Sequence, residues 1–435
     1  MPVRPMASLI DPRTGPTPGG NPNPAPTTPD PVHLERLHVL CHQGRLYEAE
    51  RWIEAGHPLQ IDKPPTRGRR PATALSIALD QGNHALTLLL CNGYDPDRDA
   101  YRHLNTALEM RRPDLVELLL SWGADPHQVD LETLFGTYST ALFERFYGLG
   151  VDLTRRHGIA RALGYHTSNK PLYGFAKRHR DADPAIARDL NAALAHHAYK
   201  GNEKGALLCL WAGADPHAPC DPLPYSEDAL YDPDDDVLFE DLDWRPTAIR
   251  SACSGGHADL VERFGPDPGR DDFDDLYLVA SNPAPVDVLA RYALPVDVNA
   301  VVEQRIESAN WRFSNEDHVG ALRRLFEHGA RWVRASNEAL RVVRRNLLAL
   351  DGYDFQRVVL ALATPGACAP EILRELSRTP AFERKLNEAD LLARNRQWHL
   401  RRNADDIAAV ALAFRPDSAA ARKAARRPGA GVPKR

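Results

Sequence analysis

The chain has 435 residues, 43% of them hydrophobic and 26% charged, with a formal net charge of -5. It is too apolar for a disordered protein and too long for one compact core, so several domains or a repeat stack are implied. The net charge excludes a general attraction to nucleic acid or an anionic membrane, and no stretch approaches the roughly 20 apolar residues of a membrane helix.

Residues 1–31 are rich in Pro, Gly, Thr and Asn, as in Gly15-Pro16-Thr17-Pro18-Gly19-Gly20, and have no apolar periodicity. A disordered, partly polyproline arm is expected there, either a plain tail or a segment for export or tethering.

From Leu34 a rhythm sets in: two short apolar segments around a Gly-containing turn, then a Gly-Asp or Gly-Asp-Pro break. One clear unit runs from Pro71-Ala72-Thr73-Ala74-Leu75 through Gly82-Asn83-His84 and Leu86 to Gly93-Tyr94-Asp95-Pro96. The next has Thr106-Ala107-Leu108, then Pro113-Asp114-Leu115-Val116, and ends on Gly123-Ala124-Asp125-Pro126. Leu75 and Leu108 lie about 33 residues apart. A third clear copy reads Arg245-Pro246-Thr247-Ala248-Ile249, then Gly255-Gly256-His257-Ala258-Asp259-Leu260-Val261.

These segments resemble the ankyrin repeat family, whose units pair two antiparallel helices and project a β-turn finger. The motif positions make physical sense, since Thr caps the first helix, small Ala lets helices approach, Gly opens the inter-helix turn, and the closing Gly-Ala-Asp-Pro stops the second helix. The expected fold is therefore all-α, an ankyrin-type helical repeat solenoid with short β-turn fingers and a C-terminal helical cap. Weaker copies are read at 37–56, 134–152, 190–216, 276–297, 301–332 and 340–362, and residues 153–189 fit a helix pair without the family's signature. Arg outnumbers Lys, and Ala, Pro and Asp abound, which resembles the codon bias of a GC-rich bacterial genome.

The expected organisation is an N-terminal arm over 1–31, repeats over 32–216, an acidic insertion over 217–244, repeats over 245–368, a cap of longer helices over 369–415, and a basic disordered tail over 416–435. The insertion carries Asp232, Asp234, Asp235, Asp236, Glu240, Asp241 and Asp243. Its alternating Asp residues suggest a calcium loop, but Val237 stands where such a loop needs Gly, so a solvated acidic loop is the simpler reading.

Six scattered cysteines without a C-x-x-C pair argue against zinc or a disulfide framework, and Cys91 and Cys209 sit in apolar helical patterns as core side chains. His84 and His257 occupy the family's inter-helix turn, where the resemblance implies a structural hydrogen bond. His196 and His197 are adjacent, so on a helix they point in different directions.

The leading functional reading is a scaffold or adaptor that binds a partner protein through the concave face, fingers and acidic insertion. The residues assigned to it are Arg67, Arg69, Arg70, Arg98, Tyr101, Tyr225, Tyr231, Asp234, Asp235, Asp236 and Trp244, Arg and aromatic groups being suited to interfaces. A second reading is a secreted bacterial effector with the arm as export signal. A third places an enzyme in the C-terminal helices, where Asp390, Arg394, His399, Asp405 and Asp406 are polar enough to build a site. The leading reading requires no catalytic residue, metal, cofactor or small-molecule substrate. It expects neither nucleic-acid binding nor membrane insertion, and implies a monomer in the cytoplasm.

Overall fold

The computed structural model describes residues 31–59, 73–91, 96–165, 169–223, 245–307, 316–350, 352–386, 410 and 413–414. These are mostly helical, and their one β feature is an isolated parallel bridge between Trp332 and Cys368. The chain divides into two compact units, one of residues up to 137 with 145–151, the other of 138–144 with residues from 152 onward.

The first unit contains α1 (Pro31–His42), α2 (Leu46–Glu54), α3 (Ala74–Asp80), α4 (His84–Cys91), α5 (Pro96–Glu109), α6 (Pro113–Ser121) and α7 (Leu131–Gly136). Consecutive helices pair, α1 with α2, α3 with α4 and α5 with α6. The odd-numbered helices also pack on one another in order, as do α2, α4 and α6. Thr73 starts α3 with a capping box: its hydroxyl accepts the Ser76 N–H while the Ser76 hydroxyl accepts the Thr73 N–H. Leu75, Ile77, Leu79, Leu86 and Leu90 are buried, each such side chain contributing roughly 1.5–3 kcal/mol of transfer free energy.

One expected start is displaced. α5 begins at Pro96, so Thr106 lies inside a helix rather than capping one. Proline at the first helical position presets the backbone torsion and lacks only an N–H that would be unpaired there, so the helix begins eleven residues before Ala107, where a Thr106 cap would start it. Beyond α6 the expected finger is a 3₁₀ turn over Pro126–Gln128, because the Asp125 carboxylate accepts the His127 N–H.

α8 (Thr140–Gly148) contributes residues to both units. In the second unit, α9 (Gly158–Tyr165) and α10 (Lys170–His179) are followed by α11 (Pro184–Lys200), α12 (Glu203–Ala212), α13 (Ala248–Gly255), α14 (Ala258–Phe264), α15 (Phe273–Val279) and α16 (Pro283–Leu289). Then come α17 (Val298–Glu307), α18 (Glu316–Glu327), α19 (Asn337–Ala349), α20 (Gly352–Leu362) and α21 (Pro370–Ser377). The first helices of the pairs pack in sequence, α9 on α11, α11 on α13, α13 on α15, α15 on α17, α17 on α19 and α19 on α21. Among the second helices, α10 meets α12, α14 meets α16, α16 meets α18 and α18 meets α20.

α11 is the longest of these and buries Ala192, Ala193, Ala195 and Ala198, whose small side chains let α9 and α13 come close on either side. Salt bridges join successive second helices or the turn just after them, from Arg263 to Glu203 at 3.1 Å, Arg291 to Glu262 at 2.6 Å and Arg324 to Asp287 at 2.6 Å. α11 packs directly on α13, and the Cys220 N–H donates to Pro246 O at 3.1 Å. Past residue 369 the described helices are α21 and a helical stretch at 380–386 whose Phe382 packs against Phe355 and Phe414; of the cap expected over 369–415, residues 387–409, 411–412 and 415 lie outside the described residues.

Candidate partner-binding surface

In the second unit, the loops that follow the second helices are held by side chains reaching out from first helices. Asn191 Oδ1 in α11 accepts the Asp215 N–H at 2.8 Å. Asp274 in α15 accepts the Val296 N–H at 2.6 Å and the Asp297 N–H at 3.1 Å. Asn299 Oδ1 in α17 accepts the Val333 and Arg334 N–H groups, each at 3.1 Å. The first unit contains the same device, Asn105 Oδ1 accepting the Asp130 N–H at 3.0 Å. A loop whose backbone donors are satisfied in this way has little freedom to rearrange, so the side chains at its tip are presented in fixed positions.

Further polar links join neighbouring loops. His217 Nδ1 donates to the Asp271 carboxylate at 2.9 Å, and Arg270 reaches Asp215 at 2.5 Å. Burial works against charge on Asp215, but the Arg270 guanidinium and the His217 N–H outweigh it and hold the carboxyl below its ordinary range. At the next loops, buried Trp332 donates its indole N–H to Glu303 at 3.1 Å and forms a backbone bridge with its neighbour, Trp332 N–H to Ala367 O at 2.8 Å and Ala369 N–H to Trp332 O at 2.9 Å. Burial, with Asp297 nearby, pushes the Glu303 carboxyl above its ordinary value against the opposing indole hydrogen bond.

Two of these loops display apolar side chains. Val296 is 94% exposed and Val333 54%, with Leu294 also exposed. Asp272, Asp297 and Arg334 stand exposed around them, while Arg331 is turned to Pro365 O at 3.3 Å.

No model of a known protein family matches the chain, and no curated protein does.

Arg67, Arg69, Arg70, Tyr225, Tyr231, Asp234, Asp235, Asp236 and Trp244 lie outside the described residues. Arg98 and Tyr101 fall within α5. Of the C-terminal polar group, Asp390, Arg394, His399, Asp405 and Asp406 likewise lie outside the described residues. The clamps Asn105, Asn191, Asp274 and Asn299 escaped sequence reasoning, although each precedes a buried apolar residue by three positions, Leu108, Leu194, Tyr277 and Val302 respectively.

His217, Asp271 and Cys220 share one loop cluster, which invites comparison with a nucleophilic dyad. The Cys220 thiol instead donates to Pro246 O at 3.1 Å, is buried, and is pushed up to about 12 by that burial and by Asp221. A thiol in that state is not a nucleophile at neutral pH. His257 makes the hydrogen bond implied for it, from Nε2 to Tyr199 O at 3.0 Å, with its ring against Gly201, whose φ of +68 ends α11.

Proposed function

We propose that the chain is an ankyrin-type repeat scaffold that holds a partner protein on the loop side of its second unit. The supporting observation is the set of first-helix side chains that clamp loops carrying exposed apolar tips. Keeping Leu294, Val296 and Val333 in water is unfavourable unless something covers them, and a pre-ordered loop loses little entropy when it is covered. The resemblance of the three clear sequence units to ankyrin repeats supports the same reading, as does the ordered packing of first helices on first helices.

The test replaces two exposed tips, Val296→Asp with Val333→Asp, and compares variant and parent chains in pull-downs from native cell extract by quantitative mass spectrometry. Both positions are exposed, so the helical circular dichroism of the variant is expected to match the parent. A protein captured by the parent and lost from the variant is the expected result. Capture of the same set by both chains would remove the loop tips as the binding surface.

A further inference from the structure

A second surface, away from the loops, lies on α10 and α12. α12 buries Ala206, Cys209 and Ala212, yet leaves Leu207 and Trp211, one helical turn apart, exposed on its other side. Trp211 is 54% exposed. The Lys177 ammonium of α10 sits 4.1 Å from the centre of its ring, a cation–π contact that fixes the indole in one orientation. Lys204, exposed and one turn ahead of Leu207, adds a second cation on the same face.

Glu203, the one acidic residue of α10 and α12, and two acidic residues nearby are engaged elsewhere. Glu203 pairs with Arg263 at 3.1 Å, Glu144 takes Arg178 at 2.6 Å and His179 at 2.7 Å, and Asp181 lies 3.3 Å from Arg180. Lys177 and Lys204 have no carboxylate partner among the described residues. The patch is thus an aromatic and aliphatic centre with an un-neutralised positive rim, in a chain whose overall charge is negative.

We infer that this face of α12 docks an acidic segment of a partner protein, an apolar side chain of that segment covering Trp211 and Leu207 and its carboxylates facing Lys177 and Lys204. Tryptophan at the centre of a patch is the commonest kind of anchoring residue, and a charged rim of one sign selects partners of the other. A lipid surface fits less well, since two lysines bring only about 1 kcal/mol each at an anionic membrane. The inference stands apart from the loop-side reading, for it uses neither the loops nor their clamps.

The experiment pans a displayed library of random 12-residue peptides against the full chain, then measures the selected peptides against Trp211→Ala and against Lys177→Glu/Lys204→Glu. All substituted side chains are exposed, and far-UV circular dichroism checks that the helices persist. The expected result is enrichment of peptides with Asp or Glu flanking an aromatic or aliphatic residue, bound roughly 30-fold more weakly by Trp211→Ala. The charge-reversal variant is expected to bind them more weakly, with a salt dependence reversed in sign, since added salt then screens repulsion. Peptides of this kind should still bind the Val296→Asp/Val333→Asp chain, which separates this site from the loop surface. Failure to enrich any peptide overturns the inference, and so does enrichment of basic peptides or of acidic peptides that bind the variants as well as the parent. It is equally overturned if phosphatidylserine vesicles or oligo-dT, tested alongside, are bound through Trp211 in place of the peptides.

Discussion

Replacing His197 by Gln should remove a defined part of the pH dependence of the second unit. The imidazole is buried, with Nε2 at 3.0 Å from Leu163 O and 3.4 Å from the Tyr173 hydroxyl, and Nδ1 at 3.4 Å from Asn202 Nδ2. Burial first, and the neighbouring His196 second, lower its pKa to about 4, against the opposing pull of the Leu163 carbonyl. An unfolded histidine titrates at about 6.5. Below that pH the unfolded chain takes up a proton that the folded chain refuses until about pH 4, so stability is intact above 6.5 and is lost as pH falls through this window. Relative to pH 8, the linkage costs about 1.4 kcal/mol at pH 5.5 and roughly 3 kcal/mol near pH 4.

The assay is hydrogen exchange read by mass spectrometry over α11 and α12 at pH 7.5 and 5.5, corrected for the intrinsic pH dependence of amide exchange. In the parent chain, protection should fall about tenfold between the two pH values through His197 alone. His196 and His38 are shifted downward and His157 upward, but they are present in both chains and cancel in the comparison. An equal loss of protection in parent and His197→Gln would refute the buried-neutral account of this residue.

Two other outcomes follow from the same geometry. A methyl group at Gly205 would stand 2.6 Å from Cγ, Cδ2 and Cε1 of the His197 ring, so Gly205→Ala has to displace the ring, and a loss of about 1–3 kcal/mol is expected in thermal or urea unfolding; an unchanged midpoint would mean the ring has room to shift. All six cysteines are free and buried, with Cys41 and Cys91 pushed up to about 11 and Cys209, Cys220 and Cys368 to about 12, each mainly by burial. A disulfide reagent at pH 8 should therefore titrate essentially none of them in the folded chain and all of them in denaturant, and a thiol reacting rapidly in the native state would contradict this.

The sequence was most informative where the controlling interactions are local. Thr73 and Thr247 each stand ahead of an apolar run and accept an N–H three residues on, because an N-cap needs only its own first turn. The same sequence pattern misled at Thr106, where Pro96 had already begun a helix. Cys91 and Cys209 were legible as core side chains because a 3.6-residue apolar period marks which face of a helix is covered. Composition likewise drew attention to charged and aromatic residues in segments such as 67–70 and 225–244, which is a statement about chemistry and not about position.

What composition and period could not supply is who meets whom. Asn191 and Asp215, Asp274 and Val296, and Asn299 and Val333 are separated by 22 to 34 residues, and become partners only when one helix pair is laid on the next. Trp211 lies in an apolar run of α12, yet it stands exposed with Lys177 of α10 over its ring. By itself the sequence determined the mostly helical character of the described residues and caps such as Thr73 and Thr247, since caps, glycine torsions and periodicity act within one or two helical turns. Only the tertiary structure decided which loops are clamped, which apolar side chains remain in water and which histidine is held neutral. Burial and hydrogen-bond partnership depend on surfaces that distant segments bring together.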